Sequence, residues 1–476
     1  MRVAHPFAAF CERVGFRAAE DGRSRHEAQS DFVHEPDGPN PRRFKVGDSH
    51  LCKKRKGGPP AIWTCRRQTV TLARTVGTIQ LGKGFWKGMP NLRKGDYLLV
   101  RMALILCCTL ATAQMETTKR IVGYYYGKGR PGYQLSQVPV QELTHLIYSH
   151  AKPTARGDCE LAHTDVDTPN LLALKTLRTH NPRLSVLLSV GGWSGSTYFS
   201  DVAATPSTRR RFSASCLQIV EKYGLDGLDI DWEYPVTGGK PTDHKRISDK
   251  ENFVFLLKQL RSDLDAFGHE RHLLLTIAST GYRSHLNDLP LKEMSDVLDW
   301  FNLMGYDFNE MQPKRTSHHS GLFAWPATSH LDADAGKYAN SDAAVQWYLG
   351  HGVPPEKIVL GLPFYGQVWA SVPDENEGLY QPYTGRPGED GTLSYRQIEQ
   401  IYLPVYTRHW DDQVKVPWLY SKGTKIMISY EDPESIAVKA RYVIQKHLGG
   451  IMFWDLGQDD SKSTLLGAIH QQLGGN

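Results

Sequence analysis

The sequence predicts an α/β protein whose body is a (β/α)8 TIM barrel, with an α+β insertion subdomain between strands 7 and 8. Three observations predict it. Short apolar, β-rich runs recur along residues 114–476. Stretches with apolar residues at helical spacing separate them, such as ENFVFLLKQLRSDLDAF (Glu251–Phe267). The runs number eight, and strands alternating with helices imply a parallel sheet, so eight units fit a closed barrel. A doubly wound open sheet is the alternative that the same alternation permits.

The expected strands, in order, are Arg120–Tyr126, Thr144–Ser149, Leu184–Val190, Asp226–Trp232, Leu273–Ala278, Trp300–Tyr306, Lys357–Leu362 and Gly450–Trp454. Each is rich in Val, Ile, Leu, Tyr or Phe, as a strand buried on both faces requires. The longest gap separates the last two. It holds PGEDGTLSYRQIEQIY, which reads as strand then helix, and KIMISYE, which reads as a strand. An insertion of about 369–431 follows, too patterned for a loop.

The formal net charge of +5 is unevenly spread. Residues 1–101 carry a net +11 and residues 102–476 a net −6. The first stretch mixes Arg, His, Pro and Gly without sustained period, and only Thr69–Leu81 hints at strands. It reads as a basic, non-globular extension rather than an arm for nucleic acid. Where it ends, Arg93, Lys94 and Arg101 precede an apolar run, Ala103–Leu110, and then Ala111-Thr112-Ala113. A basic flank, a short apolar run and an A-x-A site describe a secretory signal, here residues 102–113, with the mature chain starting at Gln114. The run is far short of the roughly 20 residues of a membrane span. An internal signal implies that translation begins at Met89 or Met102 and that the residues upstream are a gene-model extension. Past the signal only Cys159 and Cys216 remain, as a pair or as free thiols, and there is no N-x-S/T sequon. No Cys/His spacing suggests zinc, and neither a metal nor an organic cofactor is expected.

The chemistry concentrates in GLDGLDIDWEYP, Gly224–Pro235. Side chains alternate faces along a strand, so Asp229, Asp231 and Glu233 share one face while Leu228, Ile230 and Trp232 share the other. In a barrel the apolar set packs outward on helices and the acids point inward, with Glu233 last, at the C-terminal mouth. Close carboxylates cannot all ionise cheaply, so at least one keeps a proton near neutral pH, as a general acid must. A solvated acidic face is opposed by the bulky residues between. A calcium loop is opposed by the strand-forming composition.

DGLDIDWE (Asp226–Glu233) resembles the DxxDxDxE signature of glycoside hydrolase family 18, the chitinases. SVGGW (Ser189–Trp193) is similar to the family's SxGG on strand 3, MGYD (Met304–Asp307) to M-x-Y-D on strand 6, and MFWDL (Met452–Leu456) to the strand 8 segment. The likeness spans 114–476 and is greatest to bacterial chitinase B-type catalytic domains, insertion included. It implies an enzyme cleaving β-1,4-linked N-acetylglucosamine in chitin and chito-oligosaccharides with retention; with the signal segment, a secreted monomer is expected. The nucleophile would be the substrate's own acetamido group, and the intermediate an oxazolinium ion. No stable membrane association or nucleic-acid partner is implied.

By the same resemblance Glu233 is the general acid, then base. Asp231 hydrogen-bonds Glu233 and then the acetamido group, and Asp229, with Tyr124 and Ser189 near it, shares the proton system beneath. Tyr306, with Asp307, holds the acetamido oxygen, beside Met304 of the same motif. Trp454 forms the floor under the reacting sugar, and Trp193, Tyr365 and Trp369 line the cleft. Two departures bear on the leaving side: FNEMQPK puts Gln312 near the place of a Trp, and Gln367 follows PFYG where Arg is frequent. The rival readings are a chitin-binding lectin and an endo-β-N-acetylglucosaminidase acting on glycoproteins.

Overall fold

The computed structural model describes residues 119–474, apart from 287–288, 312–313, 326–331 and 389, together with four short strands between residues 44 and 72. The chain divides into two compact units, Met1–Glu116 and Thr117–Asn476. In the first, Ser49–Lys54 pairs antiparallel with Trp63–Gln68, and Phe44–Lys45 with Thr71–Leu72. Apart from Thr71–Leu72, the run Thr69–Leu81 lies outside the described residues, as do the expected signal 102–113, Gln114 and Gln312.

The second unit is a closed parallel barrel. Its strands are β1 (Arg120–Tyr126), β2 (His145–Pro153), β3 (Ser185–Gly191), β4 (Gly227–Asp231), β5 (Leu274–Thr280), β6 (Trp300–Met304), β7 (Ile358–Pro363) and β8 (Gly450–Trp454). Each pairs with its sequence neighbours, and β8 pairs with β1 to close the ring. The expected strands stand within a few residues of these; β2 differs most, running on to Pro153 and meeting a short antiparallel strand, Cys159–Leu161. Among the described residues no helix is long and apolar enough to cross a membrane.

Alternation builds two cores. Ile121, Leu146, Val186, Leu188, Leu228 and Ile230 face outward and pack on the surrounding helices. Val122, Tyr124, Ile147, Leu187, Trp300 and Met452 face inward and fill the barrel beneath the site. Some of the helices start on side-chain caps. Pro206–Tyr223 opens with a Thr205/Thr208 capping box and Pro at its first turn, and closes on Gly224 at φ 64°, a left-handed cap that glycine adopts without strain. Pro433–Gln445 opens on Asp432 and Ser435 in the same way. Cys159 and Cys216 are buried free thiols; burial and contact with Cys159 raise the Cys216 thiol well above its usual range.

The insertion differs from expectation in two ways. Its five-stranded antiparallel sheet begins at Tyr365–Trp369, earlier than about 369, one residue after β7. It also holds a hairpin, Thr407–Asp411 with Val416–Ser421. The first arm of that hairpin is partly exposed and rich in Arg, His, Trp and Asp, so it carries no apolar alternation to be read. Trp369 is 1% exposed and packs with Phe308, Val372, Val416 and Met427. It is core of the insertion, so its assignment to the cleft wall is corrected. The last residue of a short strand pairing against Met427 turns into its own sheet's core.

Candidate active site

A cleft of about 610 Å³ opens at the C-terminal ends of the barrel strands, where barrel active sites sit. Glu233, Asp231, Tyr306, Met304, Asp307 and Tyr365 line it, with Trp193 and Trp454. Tyr124 also reaches it, whereas Asp229 and Ser189 are wholly buried below.

The inward face of β4 supplies the acids, and the neighbouring strands receive them in register. Ser189 on β3 and Thr276 on β5 stand directly across from Asp229. Asp229 accepts from Thr276 Oγ1 at 2.6 Å, Tyr124 Oη at 2.8 Å and Asn302 Nδ2 at 3.1 Å. Trp300 Nε1 holds the Asn302 amide by donating to its oxygen at 2.9 Å. Burial raises the Asp229 pKa, and these donors with Ser189 oppose the rise. Asp231 has no comparable shell: its Oδ1 is buried with no hydrogen-bond partner. Burial, then the charges of Glu233 and Asp229, push its pKa well up. On the outward face Trp232 stacks on Phe199 at 5.4 Å and fixes the end of the strand.

The glycines of SVGGW make room for this ladder. A Cβ on Gly191 (φ 117°) would stand 2.1 Å from the Asp231 carbonyl oxygen. That carbonyl accepts from Gly192 N at 2.8 Å and Ser196 Oγ at 3.2 Å, and Ser196 Oγ in turn accepts from Glu233 N at 3.0 Å. Glu233 is thereby held by its backbone with its carboxyl in the cleft. Burial, offset by Tyr234 and supported by Asp307, Glu310 and Asp243, raises its pKa to about 7. A carboxyl with that value keeps its proton through the acidic range and is still about half protonated at pH 7.

Beyond β6, Asp307 sits in the left-handed region at φ 62°. Its carboxylate accepts from Tyr365 Oη and Gln367 Nε2, each at 2.7 Å. Burial would raise its pKa, but His319, Tyr365 and Gln367 outweigh that and hold it low. Arg386, from the insertion, bonds the amide oxygen of Gln367. A guanidinium therefore still stands behind this position, one residue removed from Asp307. Glu310 also lines the cleft, and burial with the Asp307 charge lifts its pKa to about 7.

Trp454 ends β8 and meets Tyr124, Tyr126 and His150, its ring centroid 5.7, 6.1 and 5.5 Å from theirs. Asp455 next to it is clamped by Arg130 at 3.0 and 2.8 Å. Trp193 is half exposed at the rim. Sequence reasoning missed Thr276, Asn302, His150, Glu310 and Arg386. Thr276 and Asn302 are polar residues on inward positions of apolar strands, a signal that was present. Arg386 carries no such mark.

A barrel with a protonated carboxyl at its mouth, a stack of acids below it and an aromatic platform beside it defines a glycoside hydrolase. The chain belongs to the Glycosyl hydrolases family 18, whose sequence model matches residues 120–459. It is 35% identical over 410 residues to Chitinase A1 of Niallia circulans, covering 74% of this chain and 58% of that protein, less than two thirds of its length. It is 31% identical over 431 residues to Chitinase B of Serratia marcescens, covering 75% of this chain and 84% of that protein. Among solved structures, a chitinase of Bacillus thuringiensis aligns with a TM-score of 0.69 and 32% identity, over 75% of this chain and 70% of that one.

Proposed function

We propose that the barrel is a secreted, monomeric chitinase that hydrolyses β-1,4 links between N-acetylglucosamine units with retention, through substrate-assisted catalysis. The observation that carries the reading is Glu233, whose carboxyl keeps its proton to about pH 7 directly above the Asp231–Asp229 stack. Glu233 protonates the leaving oxygen. The acetamido oxygen of the sugar in place attacks its own anomeric carbon, and Tyr306 and Asp231 hold that group in line. Water, deprotonated by Glu233, then opens the oxazolinium ion. An ordinary retaining site needs a nucleophilic carboxylate about 5–5.5 Å from the acid. Here Asp231 precedes Glu233 by two residues, at the end of β4, and Asp307 is tied down by Tyr365 and Gln367. The chitinase relatives support the substrate class, and Ala111-Thr112-Ala113 supports export.

Incubation with N-acetylglucosamine oligomers and, separately, with a high-mannose glycoprotein tests the reading. Cleavage of the oligomers is expected. Release of glycan from the glycoprotein alone would make this an endo-β-N-acetylglucosaminidase, and oligomer binding without cleavage would make it a lectin.

Trp454→Ala is expected to raise KM for oligomers at least several-fold while the barrel stays folded, since stacking alone contributes about 0.5–1.5 kcal/mol beyond area burial. Thermal melts alongside kinetics check it. A large drop in Tm with KM unchanged would place Trp454 in the core instead.

A further inference from the structure

His150 reaches the cleft only because β2 is irregular. Leu146 and Tyr148 face outward, so strict alternation would send His150 outward with them. The β2–β3 ladder instead shifts between Tyr148↔Leu188 and Ala151↔Val190, placing three steps of β2 against two of β3. Within this irregular stretch the His150 ring turns inward and lines the cleft.

The ring is held on every side. Its face lies along Trp454, centroids 5.5 Å apart and planes 21° apart. Its Nδ1 is 3.2 Å from Ser189 Oγ. Its other edge abuts Gly192, where a Cβ would stand 2.8 Å from Nε2. Burial pushes the imidazole pKa down to about 3, so the ring is neutral at working pH and carries one N–H. Ser189 stands across the ladder from Asp229, and its hydroxyl favours the charged carboxylate. A hydroxyl has one hydrogen. Directed at Asp229, it leaves its oxygen to accept, so the imidazole hydrogen sits on Nδ1 and donates.

We infer that His150 is a positioning residue for the hydrolysis: from beneath Trp454 it orients the Ser189 hydroxyl toward Asp229. The sugar platform and the proton system thus share one support. Asp229 is also faced by Tyr124 from β1, Asp231 on its own strand, Thr276 from β5, and Asn302 and Tyr306 from β6 and its exit. None of these touches both Trp454 and Ser189 as His150 does. The inference rests on the hydrolase reading above. Its sign is definite: a donor chain favours ionised Asp229, so breaking it makes Asp229 harder to deprotonate.

The test is kcat and KM against pH on an N-acetylglucosamine tetramer, for wild type, His150→Phe, Ser189→Ala, the double variant and His150→Gln. Phe keeps the ring under Trp454 and loses the donor; Gln keeps a donor and loses the ring. His150→Phe is expected to leave KM within about twofold, lower kcat and move the acidic limb of kcat upward by on the order of half a pH unit. His150→Gln should keep the limb near wild type and raise KM. In the Ser189→Ala background the limb is already raised, and adding His150→Phe should move it no further. A folded His150→Phe with an unmoved limb, or an equal further shift in the Ser189→Ala background, overturns the inference. Should His150→Phe not fold, an unmoved limb in Ser189→Ala overturns it equally. A wild type that leaves the tetramer intact removes the hydrolase reading itself, an outcome visible before any variant is compared.

Discussion

Glu233→Gln is expected to keep the fold and oligomer binding while kcat falls by about 10²–10⁴-fold or more. The change is isosteric and removes only the transferable proton. The backbone tie from Glu233 N to Ser196 Oγ survives it. It also removes a like charge from beside Asp231, whose pKa the Glu233 charge helps to raise, so the variant's stability should hold or improve slightly. The pH profile gives a second reading of the same group. Because the Glu233 pKa is raised to about 7, its acid form persists across the acidic range and is lost as pH rises through that value. Wild-type kcat should therefore decline on the basic side near pH 7, and any residual activity of Glu233→Gln should lack that limb. Activity within tenfold of wild type would mean that another group is the acid, and Glu310, with its similar pKa in the same cleft, would be examined next.

Removing one acetyl group from the substrate should have an effect as large as removing the acid. If the acetamido oxygen is the nucleophile, a glucosamine on the non-reducing side of the scissile bond leaves nothing to attack the anomeric carbon. Cleavage there should stop, however well the chain binds. The same deacetylation on a distant sugar should change KM only. Mass spectrometry of products from oligomers with defined acetylation separates the two cases. Tyr306 and Asp307 line the same cleft as Glu233, and Asp231 has a buried Oδ1 with no hydrogen-bond partner, as the proposed hold on the acetamido group requires. Efficient cleavage after a glucosamine would require a carboxylate nucleophile that the strand does not provide.

Much of this site was legible in the sequence because it lies on one strand. Period-two alternation separates Asp229 and Asp231 from Leu228 and Ile230 as the barrel strand demands, and Glu233, two residues past the strand's end, still reaches the cleft. What alternation along one strand cannot give is register between strands. Thr276 became a partner of Asp229 only once β5 was set against β4, and Ser189 had been placed there by the family resemblance, not by alternation. A local irregularity defeats the rule outright, which is why His150 stayed hidden: its face is reversed where the β2–β3 register shifts. Trp369 failed for another reason. An aromatic just past a barrel strand can face the ligand or a neighbouring sheet, and the insertion begins early enough to claim it. Gln367 looked like the loss of a cation, yet the fold brings Arg386 behind it from 19 positions further along the chain.

The central claim is that the substrate supplies its own nucleophile, and the anomer of the first product tests it most directly. Attack by the acetamido oxygen inverts the anomeric carbon once, and water opening the oxazolinium ion inverts it again. Proton NMR on fresh hydrolysate of an N-acetylglucosamine oligomer, recorded before mutarotation, should show the new reducing end first as the β-anomer. An initial α-anomer would mean a single displacement by water, with Glu233 facing a separate base, and would contradict the account.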